Sequence, residues 1–169
     1  PTFTGTATAI EYVVADSLGQ KVSSTITPTV GKPALPTANP DTTSGPKGAT
    51  QSINLITNVD GADAAGQAGV SLVASSVKLC GVGEVSPNCT KTSVVVSGVG
   101  SYSVNASGVM SFVPEANFTG TPAPLAYTVL DSTGQKAAST YTPTVIAPPV
   151  VVPDVNSDAW DVTQTISPL

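Results

Sequence analysis

The chain has 169 residues, of which 40% are hydrophobic and 10% are charged, and its formal net charge is −5. This hydrophobic fraction excludes a disordered polyelectrolyte, and six basic residues without a basic run argue against a nucleic-acid partner. No stretch approaches the roughly 20 consecutive apolar residues of a membrane helix, so we expect no membrane insertion of this segment.

The first predicted element is a β-hairpin near the N-terminus. Tyr12 and Val14 alternate on one face of a strand, and the Asp-Ser-Leu-Gly sequence that follows is typical of a tight turn. Residues 3–30 realign without gaps on residues 118–145, with 17 of 28 positions identical. We therefore interpret residues 1–30 as the C-terminal part of a preceding repeat. Strands from a neighbouring chain or from sequence outside this segment are expected to complete it.

Proline-rich segments divide the chain into repeats. We predict a linker and the start of a repeat at residues 31–40, a complete repeat at 36–146, and a linker with the first strand of a following repeat at 147–169. Such linkers favour extended polyproline geometry and act as spacers. The first residue falls inside a repeat, which indicates an excerpt from a longer polypeptide. The expected partners are neighbouring repeats of the same polypeptide or neighbouring copies in a filament.

The complete repeat is rich in β-branched residues and turn signals, which favour short strands over helices. Seven such strands predict an all-β sandwich in a tandem array. We place the strands near residues 49–56, 70–79, 90–96, 101–105, 109–113, 124–130 and 137–145. The predicted core includes Phe112, Phe118, Leu125, Tyr127 and Val129.

The loop at residues 58–69 contains oxygen-bearing side chains. Asn58, Asp60 and Asp63 are weak candidates for calcium ligands, although their spacing is not that of an EF-hand. Solvated turn residues are the favoured interpretation, so the sequence predicts no metal site and no cofactor. The chain has no histidine and its glutamates are isolated, so we also predict no enzyme activity.

The two cysteines, Cys80 and Cys89, flank a loop rich in glycine between two strand-like runs. A disulfide across a hairpin is the natural interpretation, provided that the chain reaches an oxidising compartment. A structural zinc site lacks ligands, because there are two thiols and no histidine. Free buried thiols are the remaining alternative.

Several blocks of the sequence, in this order and spacing, resemble the fibril repeats of CshA-like bacterial surface adhesins. The blocks are NPDTTSGPKGATQSINLI, SSVKLC, VSGVGSYSVNASGVMSFVPEANFTGT and YTVLDSTGQKAASTYTPTV. The resemblance implies an immunoglobulin-like antiparallel β-sandwich without catalytic residues. It also implies an extracellular location, on the bacterial surface or attached to the cell wall, and a structural role as a stalk that projects a separate adhesive region. The alternative is a module that itself binds glycan or protein through the loops at 58–69 or 81–88.

Overall fold

The computed structural model describes residues 3–31, 33–59, 61–153, 155, 157, 160–163 and 165. In this part of the chain every regular element is a strand, which confirms the all-β prediction. The strands are β1 Gly5–Thr6, β2 Ile10–Ala15, β3 Lys21–Ile26, β4 Thr29–Val30, β5 Asp41–Pro46, β6 Gln51–Asn54, β7 Leu72–Leu79, β8 Ser93–Val96, β9 Gly100–Val104, β10 Val109–Pro114, β11 Leu125–Asp131 and β12 Lys136–Ile146. No helix among the described residues is long and apolar enough to cross a membrane.

Strands β5 to β12 form a β-sandwich of two four-stranded sheets. The strand order is β6-β10-β9-β8 in one sheet and β5-β12-β11-β7 in the other. Alternate side chains of β9, β10 and β12 face the space between the sheets and are buried, as the period of two predicts, whereas β11 also buries the side chain of Thr128 between those of Tyr127 and Val129. At the centre, the Tyr102 ring lies 4.7 Å from the ring of Phe112 and 6.2 Å from that of Tyr141, measured between centroids.

Strand β5 corrects the sequence prediction in two ways. It was not among the predicted strands, and it pairs parallel with β12, whereas an antiparallel sandwich was expected. The sequence of β5, Asp-Thr-Thr-Ser-Gly-Pro, lacks apolar alternation, so its extended form depends on six residue pairs with β12. Pairing between segments about 100 residues apart leaves no local signal.

The predicted core residues differ in how deeply they are buried. Phe112, Tyr127 and Val129 have no exposed surface. Phe118 and Leu125 are partly buried and pack against the core.

The N-terminal hairpin repeats the register of the hairpin formed by β11 and β12. Strands β2 and β3 pair from Ile10↔Ile26 to Ala15↔Lys21, and β11 and β12 pair at positions 115 residues later. The turn is also reproduced, since Asp16 Oδ1 accepts two backbone N–H groups at 2.9 and 2.8 Å, as Asp131 does at its own turn. Local sequence is therefore sufficient to specify this hairpin.

The two hairpins differ in what covers them. Tyr12 is 49% exposed and Ile26 is 56% exposed, while Tyr127 and Tyr141, at the equivalent positions, are fully buried. In the complete repeat β5 and β7 flank the hairpin and the second sheet covers its apolar face. The described residues supply no such strands to β2 and β3, so completion of this hairpin by other strands stays a prediction.

Candidate functional site

A buried tyrosine connects two aspartates where the chain enters the sandwich. Tyr127, in the middle of β11, donates its hydroxyl hydrogen to Asp41 Oδ2 at 2.8 Å. The same hydroxyl lies 3.3 Å from Asp63 Oδ2 and 3.3 Å from the carbonyl oxygen of Asn39. Asn58 donates a side-chain hydrogen bond to Asp41 Oδ1. We call these five residues the tyrosine–aspartate cluster.

The fold places the members of the cluster on three separate segments. Asp41 is the first residue of β5, and β12 separates that strand from β11, which carries Tyr127. Asn58 and Asp63 belong to the loop that connects β6 to β7. Both Asp41 and Tyr127 are almost fully buried, so their polar atoms need partners inside the protein.

Burial dominates the electrostatics of the cluster. It raises the pKa of Asp63 to about 6; the hydrogen bond from the Asn39 amide opposes this rise and the charge of Asp41 adds to it. Burial likewise raises the pKa of Asp41, although hydrogen bonds from Tyr127 and Asn58 oppose the shift. Near neutral pH the cluster therefore contains a buried carboxylate whose charge is costly.

The tyrosine is a hydrogen-bond donor and not a base. Burial, together with the hydrogen bond to Asp41 and the charge of Asp63, raises the pKa of Tyr127 well above its usual value. The hydroxyl therefore stays protonated at physiological pH and donates to the carboxylates. Among the described residues no buried side-chain nitrogen or oxygen is without a hydrogen-bond partner. This arrangement is chemically suited to hold segments together.

The three calcium candidates have different outcomes. Asn58 and Asp63 both lie in the tyrosine–aspartate cluster, where Asn58 presents its amide nitrogen to Asp41 and Asp63 accepts the Asn39 amide. Asp60 lies outside the described residues. In the described part of the chain, no group of three or more histidine, cysteine, aspartate or glutamate side chains could hold a metal ion.

The sequence predicted Tyr127 as a core residue and indicated no role for Asp41. One signal could have identified Asp41, because the dipeptide Pro-Asp recurs at the start of the following partial repeat, at residues 153–154. An aspartate at the start of each repeat, followed much later by a tyrosine at a buried position, is consistent with a hydrogen bond between the two. The distance of 86 residues hid the pairing.

The loop between Cys80 and Cys89 is organised by more than its disulfide. The predicted bond is present, but it closes the connection between β7 and β8, which lie in different sheets, and not the expected hairpin. Within the loop, Glu84 Oε2 accepts the backbone N–H groups of Gly81 at 2.8 Å and Thr90 at 3.1 Å, and the side chain also bonds the Thr90 hydroxyl. Glu84, which sequence reasoning considered isolated, therefore fixes the base of the loop.

Lowering the pH from 7 to 5 is expected to raise the free energy of unfolding by about 1 kcal/mol. The folded pKa of Asp63, about 6, exceeds the ordinary value of 3.8 that applies to the unfolded chain. The folded state therefore takes up the proton first, and this stabilisation is lost as the pH rises through 6. Urea denaturation at pH 5, 6 and 7 measures the effect.

Two other acidic groups, Glu84 and Asp131, act below this pH window, whereas burial raises the pKa of Asp41, which therefore acts in the same direction as Asp63. Hydrogen bonds from Thr90 lower the pKa of Glu84. Burial opposes ionisation of Asp131, but hydrogen bonds from Thr133 and Gln135 together outweigh it and lower the pKa of Asp131. Both contributions are lost only as the pH falls below about 4.

The Asp63→Asn variant is the matched control for this pH dependence. An equal rise of stability in that variant between pH 7 and 5 would contradict the assignment of the effect to Asp63.

Comparison with known proteins identifies the repeat. A family model described as the repetitive domain of the surface adhesin CshA matches residues 33–145. A search of curated proteins found no match. The matched range contains the strands β5 to β12 of the sandwich apart from Ile146, the last residue of β12. It also contains the whole tyrosine–aspartate cluster.

Proposed function

Because the chain belongs to the family of CshA surface-adhesin repetitive domains, we propose that it is a non-catalytic stalk segment of a bacterial surface adhesin. Repeats of this kind follow one another in one polypeptide, outside the cell, and hold a separate adhesive region away from it. The partners of each repeat are its neighbours in the stalk. This role requires stiffness and resistance to unfolding and needs no reactive site.

The observation that carries the proposal is the second copy of the hairpin. Residues 3–30 form the hairpin of β2 and β3 with the register of β11 and β12, but with the apolar face exposed. An apolar face of this kind is stable in water only when other strands cover it. A second sandwich of the same design, directly before this one in the polypeptide, provides the strands that cover this apolar face.

The interior of the repeat supports the same role. Its aromatic residues pack between the sheets, and its buried carboxylates accept hydrogen bonds from Tyr127, Asn58 and backbone groups. These interactions connect segments that are far apart in sequence. They stabilise a single closed unit, which is what a stalk under tension requires.

A second candidate function is binding through the loop at residues 81–88. Val82 is 95% exposed and Val85 is 75% exposed at the tip of this loop. Two exposed valines on a loop fixed by a disulfide and Glu84 are the observation that favours this candidate. Glycan and protein arrays probed with this chain test the alternative, because a stalk segment gives no selective signal.

Electron microscopy of the native surface polypeptide tests the stalk directly. We expect beads spaced roughly 40 Å apart along a filament, from strands of about nine residues plus an extended linker. Isolated compact particles, together with one selective ligand on the arrays, would contradict the stalk and favour the binding module. Reduction of the sample is the control, since the spacing is set by the length of the sandwich and the linker and should not depend on the disulfide.

A further inference from the structure

The linker that leads into the repeat is bound to the sandwich by hydrogen bonds. Residues 34–39 lie against the segment 61–67, which belongs to the loop between β6 and β7. Thr37 and Ala64 form an antiparallel bridge, in which the Thr37 amide donates to the Ala64 carbonyl at 2.8 Å and the reverse bond is 3.0 Å. We call residues 61–67 the linker-binding loop.

Side chains add to this backbone bridge on both sides. The Asn39 amide donates to Asp63 Oδ1 at 2.8 Å, and the Asn39 side chain donates to the carbonyl of Ala62 at 3.1 Å. Nearer the N-terminus, the Ala34 amide donates to Gln67 Oε1 at 3.3 Å. The linker is therefore bonded at its beginning, middle and end.

The linker also buries apolar atoms in an alternating pattern. Pro36 is buried and Ala38 packs against the hydrophobic core, while Thr37 between them is exposed. On the loop, Gly66 has a φ of +77°, and a Cβ at this position would lie 2.2 Å from the Leu35 carbonyl oxygen. The absence of a side chain at Gly66 is what lets the two backbones approach.

We propose that the linker-binding loop is a receptor for the extended linker and sets the stiffness of the junction between repeats. Residues 34–39 are bound to the loop, so little of the chain lies between the hairpin at residues 3–30 and the first bonded linker residue, Ala34. This inference deepens the proposed stalk function. The effect on junction stiffness rests on that function, whereas the contact between the linker and the loop does not depend on it.

The sequence of the next linker supports this assignment. Residues 34–41 read Ala-Leu-Pro-Thr-Ala-Asn-Pro-Asp, and residues 147–154 read Ala-Pro-Pro-Val-Val-Val-Pro-Asp. The alanine, the buried proline and the final Pro-Asp recur at the same spacing. The linker-binding loop therefore fits a segment of the form Ala-x-Pro-x-x-x-Pro-Asp, which each repeat presents to the one that follows.

Amide hydrogen exchange measured by NMR on the whole chain tests the receptor. In Gly66→Ala, the added methyl group displaces the linker, and exchange at the Thr37 and Asn39 amides should accelerate about tenfold or more, as expected for two lost hydrogen bonds. Gly69→Ala is the matched control, because Gly69 has a φ of +79° in the same loop but no atom within 4 Å of an added Cβ. Exchange in Gly69→Ala should stay near that of the unchanged protein.

Amides of β9 and β10 report whether the sandwich itself remains folded. If Gly66→Ala exposes those strands as well, Gln67→Ala replaces it, since it removes the acceptor of the Ala34 amide and should accelerate exchange at Ala34 about threefold or more. Thr37 and Asn39 amides that exchange freely in the unchanged protein, or equally in Gly66→Ala and Gly69→Ala, would overturn the inference. Beads without a fixed spacing in the microscope would overturn the inferred stiffness of the junction, whereas isolated compact particles would instead overturn the stalk function.

Discussion

Replacing Cys80 and Cys89 together with alanine is expected to lower the free energy of unfolding of the repeat by about 3 kcal/mol. The two cysteines are nine positions apart, and the bond between them restricts the unfolded chain more than the folded one. Glu84 continues to fix the base of the loop through its hydrogen bonds to Gly81 and Thr90. The native repeat should therefore remain folded, with reduced stability.

Urea denaturation followed by circular dichroism measures this loss. The unchanged protein under reducing conditions is the matched control, because it lacks the bond but keeps both sulfur atoms. If the bond alone is responsible, the reduced protein and the double-alanine variant lose similar stability. A loss below about 1 kcal/mol in both would mean that the hydrogen bonds of Glu84 already restrict the loop in the unfolded chain.

Replacing Tyr127 with phenylalanine is expected to cost about 2 to 3 kcal/mol, as for a buried hydrogen bond to a charged group. The change keeps the ring in the core and removes the hydroxyl that donates to Asp41 Oδ2 and approaches Asp63 Oδ2. The two carboxylates then face each other with fewer donors. Because the Tyr127 hydrogen bonds lower the pKa of both aspartates, their removal should raise these pKa values further.

Tyr141→Phe is the matched control for this substitution. Tyr141 is as buried as Tyr127, but its hydroxyl pairs at 2.7 Å with the neutral hydroxyl of Thr43. Its loss should cost about 1 kcal/mol, the usual net value for a neutral hydrogen bond. Urea denaturation at pH 7 compares the two variants. Equal losses would show that the aspartates do not depend on Tyr127 for stabilisation.

The tyrosine–aspartate cluster and the linker-binding loop share one residue, Asp63. Asp63 accepts the Asn39 amide of the linker and also faces Tyr127 of the core. The cluster thus connects the stability of the sandwich to the attachment of the linker. In a stalk, this connection means that force on the linker acts first on bonds that are anchored in the core.

The sequence alone predicted the elements whose interactions are local. Alternation of apolar residues and the Asp-x-x-Gly turns predicted both hairpins, because the Asp16 and Asp131 side chains bond the backbone of their own turns. The nine-residue spacing predicted the disulfide. The order and spacing of sequence blocks predicted the family, and the seven predicted strands all appear with ends shifted by a few residues.

Only the tertiary structure decided which distant segments meet. The parallel strand β5, the hydrogen bond from Tyr127 to Asp41 and the docking of the linker at Gly66 all join segments that are separated by about 30 to 100 residues. Nearly identical hairpins are exposed at residues 3–30 and buried in the repeat, because burial depends on which strands lie beside them. Local sequence sets the shape of a hairpin, but the surrounding strands set its solvation and the pKa values of the carboxylates near it.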